Sequence, residues 1–420
     1  RAKTFHGLAL SLAIRDGIVD REVFDTQILQ QGGATGGSYD PYAHFCKKQG
    51  VTYDPHAADP KKLLEGVVDE SHIGNVLFAI NDYLTSTCKP VEKWEAAPVD
   101  IPLPGDTVTK LLEKWDSYKR DPPVYDFRLF EHGDYVEAVA DAALTPAVDV
   151  LFIDEFQDLA PLEYQLFKLW RDAGDIDRIY IAGDSNQSIY SFRGATPYYF
   201  EETATDDRVL LQDSRRCPEE IAAVARAVLA THEQTDPRGF GGFEEGGTTR
   251  WESFSSKSDL RAAAIAATDE YDATPSAMML TRTNRQLGKL TSDLRDVGVP
   301  FEILGKRRGI WRDDMADLLE VLNGIQTAST YYQKDAVKTL LKTLPADTPR
   351  LPTGVGGIID ADAVNEDIFA SYEGPLEMIE RLQLPSWKRE VLANAVDAPA
   401  SMNPGEVAVG TVHTAKGLEA

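Results

Sequence analysis

Apolar and polar positions follow two rhythms along this chain. Five short apolar runs stand out: Val148-Asp149-Val150-Leu151-Phe152-Ile153, Arg178-Ile179-Tyr180-Ile181-Ala182, Arg208-Val209-Leu210-Leu211, Ala277-Met278-Met279-Leu280 and Val407-Ala408-Val409. They are too short for helices, and the 148–153 run, mostly β-branched or aromatic, predicts a buried parallel strand. Amphipathic stretches at 134–144 and 161–170 predict helices beside them, and residues 3–15 predict an apolar helix with Thr4 as its N-cap. Strands alternating with helices predict an α/β fold with parallel sheets. Two regions break that rhythm. Residues 20–117 carry scattered aromatics and proline-bounded loops, and residues 311–402 carry helical stretches near 314–326 and 331–344 with Pro/Gly punctuation between 345 and 357. Both read as mostly helical insertions. The resulting division is one α/β domain from 1–19 and 118–207 and a second from 208–310 and 403–420, with a loop or linker at 236–249.

The polar residues that follow the strands change the picture. The first run ends in Asp154-Glu155-Phe156-Gln157-Asp158 and the second in Gly183-Asp184-Ser185-Asn186-Gln187. The later ones end in Ser214-Arg215-Arg216, in Thr281-Arg282-Thr283-Asn284-Arg285, and in Thr411-Val412-His413-Thr414-Ala415-Lys416-Gly417-Leu418-Glu419. A buried unpaired carboxylate is costly, so three acids at one strand end belong to a solvated turn or to a ligand site. In open α/β sheets ligands sit beyond the carboxyl ends of the strands. An Asp placed there can hold Mg²⁺ beside a nucleotide, and the neighbouring Glu can activate water. Five clusters at five strand ends favour a shared site over five unrelated turns.

Composition adds bounds. With 420 residues and 43% hydrophobic content the chain can bury more than one core. No apolar run approaches a membrane span. Cys46, Cys88 and Cys217 form no pairing or metal-site pattern, which points to a reducing, cytoplasmic setting. His44, Cys46, His56, His72 and Cys88 lack zinc spacing. The glycine run 32–37 has neither a Lys nor a preceding strand, so it is a loop and not a phosphate cradle. The net charge of −25 opposes nucleic-acid binding on its face. It also suits a protein adapted to molar salt, where screening makes an acidic surface tolerable; the excess of Arg over Lys, 24 to 19, fits that reading. Salt adaptation predicts loss of the fold on dialysis to low ionic strength, and retention there would count against it. Lys306-Arg307-Arg308 is a local basic run of a kind that is more often a solvated face than a phosphate contact.

The ordered set of Thr4-Phe5-His6, Asp154–Asp158, Gly183-Asp184 with Gln187-Ser188-Ile189-Tyr190 and Phe192-Arg193-Gly194-Ala195, Ser214-Arg215-Arg216, and Thr411-Val412-His413 with Lys416–Glu419 resembles UvrD/Rep-type superfamily 1 DNA helicases. The resemblance implies two RecA-like domains, each with a helical insertion, with ATP and Mg²⁺ held in the cleft between them. It implies that Asp154 holds Mg²⁺, Glu155 orients and deprotonates the attacking water, and Gln187 senses the γ-phosphate. Arg216 would reach that phosphate from the second domain, and Glu419 would bond the ribose, with Gly183 and Asp184 also at the nucleotide. Tyr190, Phe192 and Arg193 would contact single-stranded DNA by stacking and charge, with Phe5, His6, Thr411, His413 and Lys416 as further contacts and DNA junctions among the substrates. The bland alternatives are surface ion pairs for the charged residues, helix packing for Phe5 and His6, and core filling for Tyr190 and Phe192.

This chain departs from the family in two places. Arg215 stands where a Tyr commonly stacks on adenine, and its guanidinium plane can take that role. Phe192 stands where a Trp is common. No Gly-x-x-x-x-Gly-Lys-[Ser/Thr] occurs in the sequence and the family's final arginine motif is also missing, so residues 1–420 alone are expected not to hydrolyse ATP at a useful rate. The expected function is an ATP-dependent helicase moving 3′-to-5′ in DNA repair or replication. The alternatives are the motor portion of a helicase–nuclease and a non-catalytic DNA-binding remnant.

Overall fold

The computed structural model describes residues 3–29, 39–55, 72–211, 213–231, 241–251, 277–296, 299–304, 314–327, 331–345, 358–360, 369–396 and 407–416, with a few isolated residues besides. The chain divides into two compact units, Arg1–Arg250 and Trp251–Ala420.

In the first unit, helix α1 (Phe5–Arg15) starts where the sequence predicts, with the Thr4 side chain accepting from the Gly7 N–H. After a single turn at Phe24–Gln27, the longer helices that follow are α2 (Pro41–Gln49), α3 (Ile73–Ser86), α4 (Gly105–Arg120) and α5 (His132–Asp141). Strand β1 (Val150–Ile153), helix α6 (Pro161–Ala173), strand β2 (Arg178–Ile181), a short helix Tyr198–Glu202 and helix α7 (Glu219–Leu229) follow. β1 and β2 pair in parallel, Val150 opposite Arg178 and Ile153 opposite Ile181, joined through α6 as a βαβ unit requires. Leu151, Ile153 and Ile179 face the layer formed by α1, α5 and α6, whose core holds Leu12, Val136, Leu166 and Trp170.

Two strand expectations need correction. The 148–153 run is a strand but it is not buried on both faces. The period of two turns Val150 and Phe152 outward, and Phe152, 74% exposed, stacks on Tyr180 with ring centroids 4.8 Å apart. Helices cover only the opposite face of the described two-stranded sheet. Residues 208–211 form no strand; Val209 and Leu211 are exposed. An apolar run becomes a strand only with a partner, and among the described residues this stretch has none beyond a bridge from Asp213 to Gly241.

The helical region before α5 has its own aromatic core of Tyr42, Phe45, Phe78, Trp115 and Tyr118. Residues 74–81 of α3 are all buried, as expected of a helix packed on every side. A buried polar cluster ties this core to α5. Lys119 Nζ donates to Glu131 Oε2 at 2.8 Å and to both Asp134 oxygens at 2.8 and 2.7 Å. Glu131 also accepts from Trp115 Nε1, Asn81 Nδ2 and the Tyr42 hydroxyl.

The second unit is built on strands β3 (Ala277–Thr281), β4 (Glu302–Ile303) and β7 (Val407–Thr411) in the order β3–β7–β4, all parallel. Helix α8 (Asn284–Asp296) links β3 to β4. Between β4 and β7 come α9 (Asp314–Gln326), β5 (Tyr331–Gln333), α10 (Lys334–Thr343), β6 (Ile358–Asp360), α11 (Pro375–Arg381) and α12 (Ser386–Val396). The helix expected over 331–344 begins instead as a strand, because 331–333 pairs antiparallel with 358–360. The central β7 is buried along its whole length and shares one core with α9 and α12, through Val407, Val409, Leu318, Leu322 and Leu392. The glycine run at 32–37 and the basic run at 306–308 lie outside the described residues.

Candidate functional site

The ends of β1 and β2 lie side by side because Ile153 pairs with Ile181. Asp154 and Glu155 therefore leave the sheet beside Gly183 and Asp184, and all four are exposed. The turn is pinned from below. Phe156 is fully buried against Phe167 in an edge-to-face contact at 4.8 Å, and its N–H donates to Ala182 O. Burying Phe156 directly after an outward Glu155 forces a sharp reversal. Glu155 takes it up in the left-handed region, at φ 53 and ψ 40, a conformation that costs a non-glycine residue roughly 1–2 kcal/mol.

Gln157 is also fully buried. Its Nε2 donates to Glu155 Oε2 at 2.5 Å and its Oε1 accepts from the Asp184 N–H at 3.0 Å. Asp184 in turn caps the 185–187 turn through the Asn186 N–H at 3.0 Å, and its Oδ2 accepts from Gln187 Nε2 at 2.8 Å. The structure thus brings Asp154, Glu155, Asp184 and Gln187, all named from the sequence, to one edge of one sheet. Among the described residues no three His, Cys, Asp or Glu side chains gather closely enough to hold a metal unaided. An exposed carboxylate such as Asp154 is the kind of ligand Mg²⁺ takes, its shell completed by water and phosphate oxygens.

The aromatic loop follows directly. Tyr190 and Phe192 meet edge to face at 6.1 Å and both are half-buried, with Phe192 packed on the aromatic core of the helical region. Arg193 has a buried Nε with no hydrogen-bond partner among the described residues. Gly194 sits at φ 83, where a side chain would overlap Thr87 Cγ2 at the end of α3, so this loop lies flush against α3. Further along the chain, Ser214 Oγ accepts from the Arg216 and Cys217 N–H groups at 3.2 and 2.9 Å. This turn leaves Arg215 and Arg216 exposed just ahead of α7. Phe5 stacks on Trp170 at 5.0 Å, and His6 Nδ1 lies 3.2 Å from Glu163 Oε1; both contacts are helix packing.

In the second unit Thr411 ends β7 and is buried, its Oγ1 accepting from the Thr414 N–H at 3.2 Å. His413 follows on the next turn, half-buried, and its ring nitrogens lie 3.2 and 3.3 Å from Arg282 Nη1. Lys416 is half-buried as well, and Glu419 lies outside the described residues. Sequence reasoning assigned no role to Gln157, Arg282 or Thr87. Gln157 stood in the acidic cluster and Arg282 in the 281–285 cluster, but burial and cross-strand contact are properties of the fold.

The neighbouring parallel strands β1 and β2 thus lead into Asp-Glu and Gly-Asp-x-x-Gln at the same end of the sheet. Residues 110–207 match the family model of the UvrD/REP helicase N-terminal domain. The chain is 27% identical over 282 residues to the ATP-dependent DNA helicase UvrD2 of Mycobacterium tuberculosis, a match covering 64% of this chain and 39% of the relative. It is 26% identical over 188 residues to the ATP-dependent DNA helicase PcrA of Staphylococcus epidermidis, covering 43% of this chain and 26% of the relative. It is also 26% identical over 152 residues to an ATP-dependent helicase/nuclease chain of Lactobacillus helveticus, covering 32% of this chain and 12% of the relative. These matches and the ordered motifs make the chain similar to UvrD/Rep-type superfamily 1 helicases, with residues 110–207 matching the N-terminal domain of that family. It spans about two fifths of the length of the mycobacterial relatives.

Proposed function

We propose that residues 1–420 belong to an ATP-dependent DNA helicase that translocates on single-stranded DNA. The observation that carries this reading is the juxtaposition of Asp154-Glu155 with Asp184 and Gln187 across paired parallel strands. On this reading the two α/β bodies are RecA-like. Bound Mg²⁺–ATP supplies the phosphoryl group that is transferred to water. Asp154 holds the metal, Glu155 orients water and takes its proton, and Gln187 contacts the γ-phosphate. Gly183 and Asp184 shape the turn beside the phosphates. Arg216 supplies a fixed positive charge to the transferring group, Arg215 stacks on the base and Glu419 bonds the ribose.

Tyr190, Phe192 and Arg193 are assigned to single-stranded DNA, and the buried, unpartnered Nε of Arg193 supports a ligand there. Thr411, His413 and Lys416 are assigned to backbone contacts, as are Phe5 and His6 with less support, given their packing. We further assign 3′-to-5′ movement, a role in repair or replication in the cytoplasm, and DNA junctions as substrates. The relatives named as ATP-dependent DNA helicases support the helicase reading; direction, pathway and junctions rest on the resemblance of the ordered motifs alone. No helix among the described residues is long and apolar enough to cross a membrane.

Strand displacement by the full-length protein, on duplexes with a 3′ or a 5′ single-stranded tail, tests the proposal. ATP-dependent release from the 3′-tailed duplex alone is expected. Release from neither substrate overturns the helicase reading, and release from the 5′-tailed one alone overturns the direction. The second reading, the motor portion of a helicase–nuclease, has the Lactobacillus relative in its favour. ATP-dependent degradation of DNA by the same full-length protein would establish it.

A further inference from the structure

Gln157 is fully buried, yet both ends of its carboxamide are engaged with exposed residues of the candidate site. Its Nε2 donates to Glu155 Oε2 at 2.5 Å, its Oε1 accepts from the Asp184 N–H at 3.0 Å, and its own carbonyl accepts from Ser188 Oγ at 3.3 Å. Asp184 Oδ2 continues the chain to Gln187 Nε2 at 2.8 Å. One unbroken path of hydrogen bonds therefore runs from Glu155 through Gln157 and Asp184 to Gln187. Gly183 is cut to fit it, because a Cβ there would overlap Gln157 Oε1 and lie 3.2 Å from the Phe156 nitrogen. Glu155, held at φ 53, presents its carboxylate on a turn that its own backbone does not favour.

We propose that Gln157 is a positioning residue: its buried amide fixes the Glu155 carboxylate and ties it to the turn that carries Gln187. The inference rests on the helicase reading above, in which Glu155 activates water and Gln187 contacts the γ-phosphate. A buried amide satisfied at both ends is held in one rotamer, and a mobile carboxylate next to it is thereby held too. The same path gives the two strand ends a common position, so that a shift of the Gln187 turn moves Glu155.

The test is steady-state ATP turnover, with saturating single-stranded DNA, by the full-length protein and its Gln157→Met and Gly183→Ala variants, each checked for folding by its thermal melt. Met matches the length and volume of Gln and lacks the amide, so a packing role alone predicts an unchanged kcat. The expected result for Gln157→Met is a kcat lower by roughly 100-fold with KM for ATP unchanged, the loss that a misplacement of about 1 Å produces. Gly183→Ala, which displaces the amide oxygen from the opposite side, should lower kcat in the same direction, and it decides the matter if Gln157→Met does not fold. Wild-type kcat in a folded Gln157→Met overturns the inference alone, as does wild-type kcat in Gly183→Ala where that variant decides. Absence of turnover in the unmodified protein overturns the helicase reading and the inference together.

Discussion

Replacing Lys119 by Met should destabilise the first unit severely. Lys119 is 2% exposed and its ammonium is shared by Glu131 and Asp134, whose side chains are 12% and 8% exposed. Removing the cation leaves two buried carboxylates facing each other, and breaking a buried ion pair from one side typically costs about 3–5 kcal/mol. For a unit the size of Arg1–Arg250 each kcal/mol moves Tm by about 2–4 °C, so a fall of roughly 6–20 °C is expected.

The pH dependence has a definite sign. Burial pushes the Glu131 carboxyl above its ordinary range, and Lys119 opposes that push. A carboxyl whose folded pKa is raised stabilises most below its unfolded pKa, and that contribution is lost as pH rises through the folded value. Without Lys119 the upward shift grows, so the variant should lose more at pH 8 than at pH 5. The Lys119 ammonium is itself held above its usual pKa by the two carboxylates. Its contribution is thus complete below the unfolded value, near 10.4, and lost only as pH rises through the still higher folded one. Melts followed by tryptophan emission suit the assay, because Trp115 Nε1 donates to Glu131. A buried pair is screened little by salt, so the deficit should persist in molar KCl. A variant Tm within about 2 °C of wild type at pH 8 would refute the reasoning, since the size of this unit makes that less than about 1 kcal/mol.

Two further outcomes follow from the packing. Gly194→Ala meets both a left-handed backbone and Thr87 Cγ2, and should cost about 1–3 kcal/mol in urea unfolding; Thr87→Ser, which removes that methyl, should restore part of it, and no restoration would show that the contact does not limit the loop. Burial in the aromatic core pushes the Cys46 thiol up to about 12, so labelling with a thiol reagent at pH 8 should modify Cys88 and Cys217 before Cys46, which should react only after unfolding. Early modification of Cys46 would contradict its placement.

Much of the site was legible because it follows from local rules. Thr4 caps α1 as its residue type requires, and the Val150–Ile153 and Arg178–Ile181 runs become parallel strands that set Asp154 beside Asp184. What stayed hidden depends on partners distant in sequence. Nothing in the composition of 208–211 reveals that it pairs with no neighbouring strand among the described residues, and nothing in Phe152 shows which face of β1 the helices cover. Residues 331–333 form a strand only through their pairing with 358–360. Gln157 resembles any other turn residue until Phe156 and Gly183 are seen to close around it.

The central claim is tested most directly by ATP turnover of the full-length protein in molar KCl, with and without single-stranded DNA, beside a Glu155→Gln variant. Turnover that requires DNA and disappears in the variant is the expected result. Turnover indifferent to DNA, turnover that survives Glu155→Gln, or tight DNA binding with no turnover at all would each contradict the account.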